Sequence, residues 1–397
     1  MKTLDIWPAF PIVIRCFEVY PIENLDNIVV ILEHRNRVRQ ITVEFASSSS
    51  SETVFEAMQV QFPELTHLQL WSAQNTGPVV PDSFLGGSAP RLRFFDLYQI
   101  SFPGLPNLLL SATHLVTLRL HRIPHSGYFS PEALVTALST LTSLEEFQLQ
   151  FQSPLSSPDR ASRRPPAPTR FVLPVLTYLS FKGVGEYLED LVSRIDAPRL
   201  NGLFITFFIQ ILFDTPQLIQ FISCTSNLKV LEKAHVSFSF STARVKFSSP
   251  TSKLQVDIPC NGLDWQVSSL EQVCTSCLPP LFTLEDLYIT EGRFGESDWQ
   301  GNVDNTLWLE LLRPFTAVEN LYLSLEFARL IGPTLQELVG GRTTEVLPFL
   351  HNIFVEELLT SDPIPEGIHQ FINQFITMRQ AGHTIAVSHW DGRRGLF

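Results

Sequence analysis

Apolar residues fall at the first, fourth and sixth places of a short stretch that recurs along the chain. Pro63-Glu64-Leu65-Thr66-His67-Leu68-Gln69-Leu70-Trp71 is one copy, and Pro90-Arg91-Leu92-Arg93-Phe94-Phe95-Asp96-Leu97-Tyr98 is the next. From the fourth place on, apolar and polar residues alternate, which predicts a strand with one buried face. The first places run Val38, Leu65, Leu92, Leu115, Leu144, Leu176, Leu200, Leu228, Leu254, Leu284, Val318 and Leu350, with steps of 23 to 34 residues. The copies at Leu228 and Leu254 are degenerate; in the former the sixth place is Lys233.

Helix signals lie between the strands. Ser130-Pro131-Glu132 offers a cap, a first-turn proline and an early acid, and Thr215-Pro216 repeats the device. Ser268 and Glu271 have the spacing of a capping box. Further helices are predicted at 22–34, 53–61, 186–195, 305–312, 334–339 and 368–380, and the serine run 47–51 reads as a loop. A strand followed by a helix, repeated every ~20–30 residues, is the signature of leucine-rich repeats. The predicted fold is therefore an α/β leucine-rich-repeat solenoid: a curved horseshoe with parallel strands on the concave face and helices on the convex face. Residues 1–37 would form a capping segment or first atypical repeat. Residues 38–363 would form the repeats, with an exposed insertion at about 152–170 and degenerate copies at about 228–263. Residues 364–397 would supply a capping helix and strand.

Composition narrows the function. The net charge of -12, from 40 acidic and 28 basic residues, disfavours bare nucleic acid and anionic membrane as partners. The most apolar stretch, 203–213, has eleven residues with Thr206 and Gln210 inside it, too short to span a bilayer as a helix. Five scattered cysteines imply no disulfide framework, and the N-terminus lacks a signal-peptide pattern, so the expected location is the cytoplasm or nucleus. The expected state is a monomer.

If the fourth and sixth places point inward, the third, fifth and seventh form the accessible face. Trp71, Tyr98 and His121 then share the seventh place of three consecutive copies, and Tyr288, Tyr322 and Phe354 the fifth place of three others. Each trio would form a ladder on strands ~4.8 Å apart. Aromatic and arginine residues are enriched in binding hot spots. Candidate partner contacts are therefore His67, Trp71, Phe94, Asp96, Tyr98, Arg119, His121, Tyr178, Tyr288, Tyr322 and Phe354. The competing reading is a ladder that merely shields the sheet by stacking on itself.

Signals for other chemistry are weak. Cys274-x-x-Cys277 falls on an apolar helix face, with Cys260 and His235 the only nearby ligands, so packing is expected in place of zinc or redox work. Gly183 and Gly185 turn a strand into a helix and make no dinucleotide fingerprint. No cofactor or metal is expected. The alternative class is an enzyme with a pocket at the degenerate copies, where Glu232, His235 and Asp257 would do acid–base work. A third reading is a truncated copy without independent function. The arginine- and proline-rich insertion, with Arg160, Arg163 and Arg164 beside Pro165-Pro166, is a docking peptide, a phosphoserine switch near Ser156, Ser157 and Ser162, or a plain surface loop.

Several runs carry a resemblance: Ser83-Phe84-Leu85-Gly86-Gly87-Ser88-Ala89-Pro90-Arg91-Leu92, Leu109-Leu110-Ser111-Ala112-Thr113-His114-Leu115, Arg164-Pro165-Pro166, Ile195-Asp196-Ala197-Pro198, Ser276-Cys277-Leu278-Pro279-Pro280-Leu281 and Leu307-Trp308-Leu309-Glu310-Leu311-Leu312. Across nearly the whole chain it resembles the leucine-rich region of fungal (basidiomycete) F-box/LRR-like proteins. That resemblance implies a non-enzymatic module that holds a substrate protein for a cullin-type ubiquitin ligase. In such proteins an N-terminal F-box docks on the ligase adaptor. Here Pro8, Pro11 and Pro21 break any helical period before residue 22, so the adaptor is an expected partner only if an F-box lies upstream.

Overall fold

The computed structural model describes residues 10–17, 22–74, 77–154, 170–208, 214–279, 281, 283–292, 303–337, 346–356 and 386–390. The chain divides into two compact units, residues 1–202 and 203–397. Residues 155–169 of the insertion expected at about 152–170, and the helix expected at 368–380, lie outside the described residues.

The first unit begins with β1 (Ile12–Cys16), α1 (Ile22–Leu32), β2 (Val38–Phe45), α2 (Ser48–Ala57), β3 (His67–Ser72) and β4 (Phe94–Tyr98). It continues with α3 (Leu105–Leu109), β5 (Thr117–Ile123), α4 (Pro131–Leu138), β6 (Glu146–Phe151), the short β7 (Phe171–Val172), β8 (Tyr178–Gly183), α5 (Gly185–Ser193) and β9 (Ile195–Asp196). Strands β1, β2, β3, β4, β5, β6 and β8 pair in that order, every pair parallel. Parallel neighbours need a crossover, and here helices or short turns provide it on one side of the sheet.

The register explains the repeat. Ile41, Leu68, Phe95, Leu118, Phe147 and Leu179 pair in one row, and Val43, Leu70, Leu97, Leu120, Leu149 and Phe181 in the next, all buried. Each such side chain removed from water contributes about 1.5–3 kcal/mol before entropy is counted. A further apolar position lies three residues before each first place: Phe62, Ala89, Ala112, Leu141, Leu173 and Ala197, again buried. The N–H of each first-place leucine donates to the carbonyl three residues back, at 3.0–3.4 Å, from Leu65 to Leu200. The turn into every strand thus has its own backbone bond and its own core anchor. Behind the strands, Phe45, Phe55, Phe84 and Phe102 form an edge-to-face chain with centroids 5.4, 5.8 and 5.7 Å apart. Edge-to-face contact suits the ring quadrupoles.

The serine run is helix, not loop. Ser47 caps α2 by accepting from the Ser50 N–H at 3.3 Å, while the buried Ser50 and Ser51 hydroxyls donate to the carbonyls of Ser47 and Ser48. A short hydroxyl can satisfy itself on the preceding turn, which is how a polar run enters a helix here.

The second unit comprises β10 (Gly202–Phe207), α6 (Pro216–Cys224), β11 (Lys233–Ser239), β12 (Thr242–Ser248), β13 (Lys253–Pro259), α7 (Leu263–Ser276), β14 (Asp286–Glu291), α8 (Asn305–Leu312), β15 (Asn320–Leu323), α9 (Leu325–Glu337), β16 (Asn352–Glu356) and β17 (Ala386–Trp390). Its strand order is β10, β13, β12, β11, β14, β15, β16, β17. From β11 through β14 to β17 the pairs are parallel, whereas β12 runs antiparallel to both β11 and β13.

This meander corrects the expected series of parallel copies. Ala234 pairs with Leu287 and Val236 with Ile289, so the first place of this repeat is Leu231. Leu228 is the anchor three residues earlier. Leu254 is likewise no first place: Leu254, Val256 and Ile258 are the buried positions of β13, and Asp257 lies on the other side. The helix α7 starts at Leu263, after Gly262 turns the chain with φ of +82°, so Ser268 and Glu271 lie inside it and form no capping box. Likewise α9 starts at 325, not 334.

One fully buried side chain ties the meander to α7. The Gln266 amide donates to the carbonyls of Ser239, at the β11–β12 turn, and Cys260, after β13, both at 2.8 Å. Its own oxygen has no partner among the described residues. Replacing Gln266 with leucine removes two bonds, worth together about 1–3 kcal/mol, and one orphaned acceptor, which offsets part of that loss. The Gln266→Leu variant should be less stable in chemical denaturation; an unchanged midpoint would mean the clip contributes nothing.

Candidate functional site

On the face of the first unit's sheet that the helices leave open, three rows of side chains run across the strands. The third-place row is Gln40, His67, Phe94, Thr117, Glu146 and Tyr178; the fifth is Thr42, Gln69, Asp96, Arg119, Gln148 and Ser180. The seventh begins with Glu44, Trp71, Tyr98 and His121. Alternation along a strand dictates this placement once the fourth and sixth places are buried.

The rows interlock. The His67 and Phe94 rings stack with centroids 5.7 Å apart, and the Arg119 guanidinium lies 5.4 Å from the Phe94 centroid. Arg119 Nε and Nη2 donate to the two oxygens of Glu146 at 2.8 and 2.9 Å, a bidentate pair, and Gln148 also donates to Glu146. Burial opposes ionisation of Glu146, but these bonds outweigh it and lower its pKa; the same pair raises that of Arg119. Burial, with nearby Arg93, lowers the His67 pKa. Tyr178 stands at the end of the row beside Glu146, half-buried and apart from the aromatic stack.

In the seventh-place row, Trp71 to Tyr98 is 6.5 Å and Tyr98 to His121 is 6.4 Å between centroids, all part-exposed. The structure adds Arg122, a residue with no role in the L-x-x-L-x-L pattern. At a break in the β5–β6 register its backbone turns left-handed (φ +50°), and its guanidinium reaches Tyr98, donating to the hydroxyl at 3.2 Å. Strain of this kind costs on the order of 1–3 kcal/mol and clusters at functional sites. The periodic pattern gives no sign of it, because a bulge breaks the period.

Asp96 lies between the two rows and is 3% exposed. Gln69 donates to its Oδ2 at 3.2 Å, and Oδ1 has no partner among the described residues. Burial raises its pKa, with His121, Arg119 and hydrogen bonding from Gln69 and Trp71 pulling the other way. Beside this group, towards β1, a depression of about 330 Å3 opens between Arg15, Phe17, Gln40, Thr42, His67, Gln69 and Phe94. Arg15 and Phe17 were not among the sequence candidates, because the residues before 38 had no L-x-x-L-x-L copy to place them. The alternation Ile12, Ile14 and Cys16 against Val13 and Arg15 was the available signal.

In the second unit the other ladder forms as a tight stack. Tyr288 and Tyr322 are 4.2 Å apart with planes 10° from parallel, and Tyr322 and Phe354 are 4.5 Å apart at 9°. The indole of Trp390, on β17, packs edge-on against Tyr288 and Tyr322 at 5.7 and 5.6 Å and donates to the Leu323 carbonyl at 3.3 Å. Tyr288 is consequently buried, and burial raises its pKa. Tyr322 and Phe354 stay part-exposed. Next to it an amide chain links Asn352 to Asn320 and Asn320 to Asp286, each step 2.8 Å, ending on Lys233 at 3.4 Å.

Comparison with known proteins adds little to this geometry. No protein-family profile and no curated protein matches the chain. Among solved structures it is similar to the leucine-rich repeat-containing protein LegL7 from Legionella pneumophila. Identity is 14% and the TM-score 0.33, over 85% of this chain and 96% of that one. The fold class rests on the register itself: within each unit parallel strands carry the leucine-rich-repeat pattern, in the second with the β11–β13 meander inserted.

The groups suggested for acid–base chemistry do not converge. Asp257 on β13 is held bidentately by Arg244 at 2.7 and 2.9 Å, while His235 on β11 bonds Thr290 at 2.6 Å. With β12 between them the two strands are ~10 Å apart. Burial, aided by Lys246 and Arg244, pushes the His235 pKa down to about 4. Glu232 sits before β11, exposed, with its N–H on Ser248. Cys274 and Cys277 are buried, and burial raises the Cys274 thiol pKa. Among the described residues no three His, Cys, Asp or Glu side chains gather as metal ligands.

Two outcomes follow. Because the folded protein holds the Asp96 proton more tightly than the unfolded chain, this group's contribution to stability is greatest below about pH 3.8. It declines as pH rises through the raised folded value. Asp96→Asn should remove that decline, so urea midpoints of the two proteins, compared at several pH values, should separate in favour of Asn as pH rises. Parallel curves would show that Asp96 is adequately solvated. Trp390→Ala should cost about 1–3 kcal/mol for two aromatic contacts. It should also make Tyr288 reactive to tetranitromethane in peptide mapping; continued protection would mean that other groups cover the stack.

Proposed function

We propose that this chain is a non-enzymatic protein-recognition module and that its partner lies across Trp71, Phe94, Tyr98, Arg119 and His121. The observation supporting this reading is the part-exposed row Trp71–Tyr98–His121, in register on parallel strands beside the Phe94–Arg119 pair. Side chains projecting from a rigid sheet lose little freedom on binding, and stacked aromatics present large apolar area with polar edges. The buried, incompletely bonded Asp96 lies among them, a costly placement for a purely structural role. The second ladder is secondary in this proposal, since its rings already stack tightly on one another and Trp390 packs against two of them.

The resemblance to F-box/LRR-like proteins extends the proposal. In that reading the partner is a protein held for ubiquitination, with the adaptor reached through an F-box upstream, and the module works as a monomer in the cytoplasm or nucleus. Affinity capture and titration with the captured partner test the surface. The Trp71→Ala/Tyr98→Ala variant and Arg119→Ala should each weaken binding 10- to 100-fold, the range of truncated hot spots. Tyr322→Ala, in the stack of the second unit, should leave it within about threefold. Unchanged affinity in the first two variants would refute the assignment. Purified ligase adaptor should give no complex with this chain alone; a complex would locate an adaptor-binding element within it.

A further inference from the structure

The depression next to the Phe94–His67 stack has a chemistry distinct from the rest of the surface. Its walls are aromatic on two sides: the stacked His67 and Phe94 rings, and Phe17, which is 60% exposed. Gln40 and Gln69 contribute amides, and Arg15 contributes a full positive charge; among the described residues no carboxylate lines it.

Near the hollow, Arg119 is paired with Glu146, and Arg39 and Arg91 share Glu64. Arg15 has no carboxylate partner among the described residues and is exposed on β1, opposite Thr42 of β2. The chain as a whole is strongly acidic, with a net charge of -12, so at long range it repels an acidic partner. The Arg15 guanidinium at an aromatic and amide-lined hollow is therefore a local positive point on an acidic chain. A guanidinium presents a planar fork that matches a carboxylate bidentately. The volume of about 330 Å3 is at the small end of the range for ligand pockets, room for one large side chain and its neighbours.

We infer that this depression takes a short acidic segment of the partner protein, with a carboxylate on Arg15 and an apolar, preferably aromatic, side chain between Phe17 and the Phe94–His67 wall. The inference rests on the open-face reading above and specifies the partner's chemistry. The segment's backbone lies against Gln40 and Gln69, whose amides suit peptide groups.

Selection of random displayed peptides on the immobilised full chain tests this, followed by fluorescence anisotropy with the enriched peptide. Expected are sequences with Asp or Glu next to Phe, Tyr or Trp, and an affinity that falls as salt rises. Arg15→Glu should weaken binding at least tenfold, and its circular dichroism and urea midpoint should match wild type, since the side chain is exposed. Enrichment of basic or uncharged sequences, enrichment of none, or an unaltered affinity in Arg15→Glu overturns the inference. So does concentration-dependent self-association that Arg15→Glu abolishes, which would put a second copy in the hollow. The two readings separate with the captured partner: loss in Trp71→Ala/Tyr98→Ala but not in Arg15→Glu retains the open face and rejects the acidic segment. Retention in both rejects both.

Discussion

The structure depends on one constraint, that each strand's inward side chains stand in register with those of its neighbour. Leu68, Phe95, Leu118, Phe147 and Leu179 can be buried together only because their strands are parallel and unshifted. The tight turn three residues before each first place maintains that register, since its apolar anchor and its backbone bond both position the leucine that opens the strand. A slip of one residue would bring His67, Asp96 and Arg119 inward in place of these apolar residues. The polar face is therefore a by-product of the core: once the inward positions are committed, the others are free to vary.

That freedom is used differently in the two units. In the first, the outward residues form mixed rows in which rings, a guanidinium and carboxylates meet while several stay part-exposed. In the second, Tyr288, Tyr322 and Phe354 stack on one another and Trp390 packs edge-on against Tyr288 and Tyr322. The same residue types at the same kind of spacing thus give a mixed, hydrogen-bonded surface in one place and a tight ring stack in the other. What separates them is a strand far away in sequence.

The first unit also retains features that stability alone does not favour. Asp96 has a buried oxygen without a partner, and Arg122 occupies a left-handed backbone conformation to reach Tyr98. Both lie on the open face, next to the residues proposed to meet a partner. The Arg194 bridge to Asp190 and Glu132, by contrast, links α5 to α4 on the helical side and is an ordinary inter-repeat tie.

The repeat alone determined the fold class, the inward columns and the identity of the outward residues, because a period of two leaves no choice once the leucines are buried. His67, Phe94, Asp96 and Arg119 were legible for that reason, as was the stacking of Tyr288, Tyr322 and Phe354. It misjudged Leu228 and Leu254, since an antiparallel strand has the same alternation as a parallel one and direction is set by pairing. Nor could it tell that Ser47–Ser51 begins a helix, where hydroxyls bond within the preceding turn. Arg122, Trp390 and the hollow containing Arg15 were decided only by tertiary structure. Each depends on which strands become neighbours and where the register breaks, and those distances are created by packing, not encoded in local spacing.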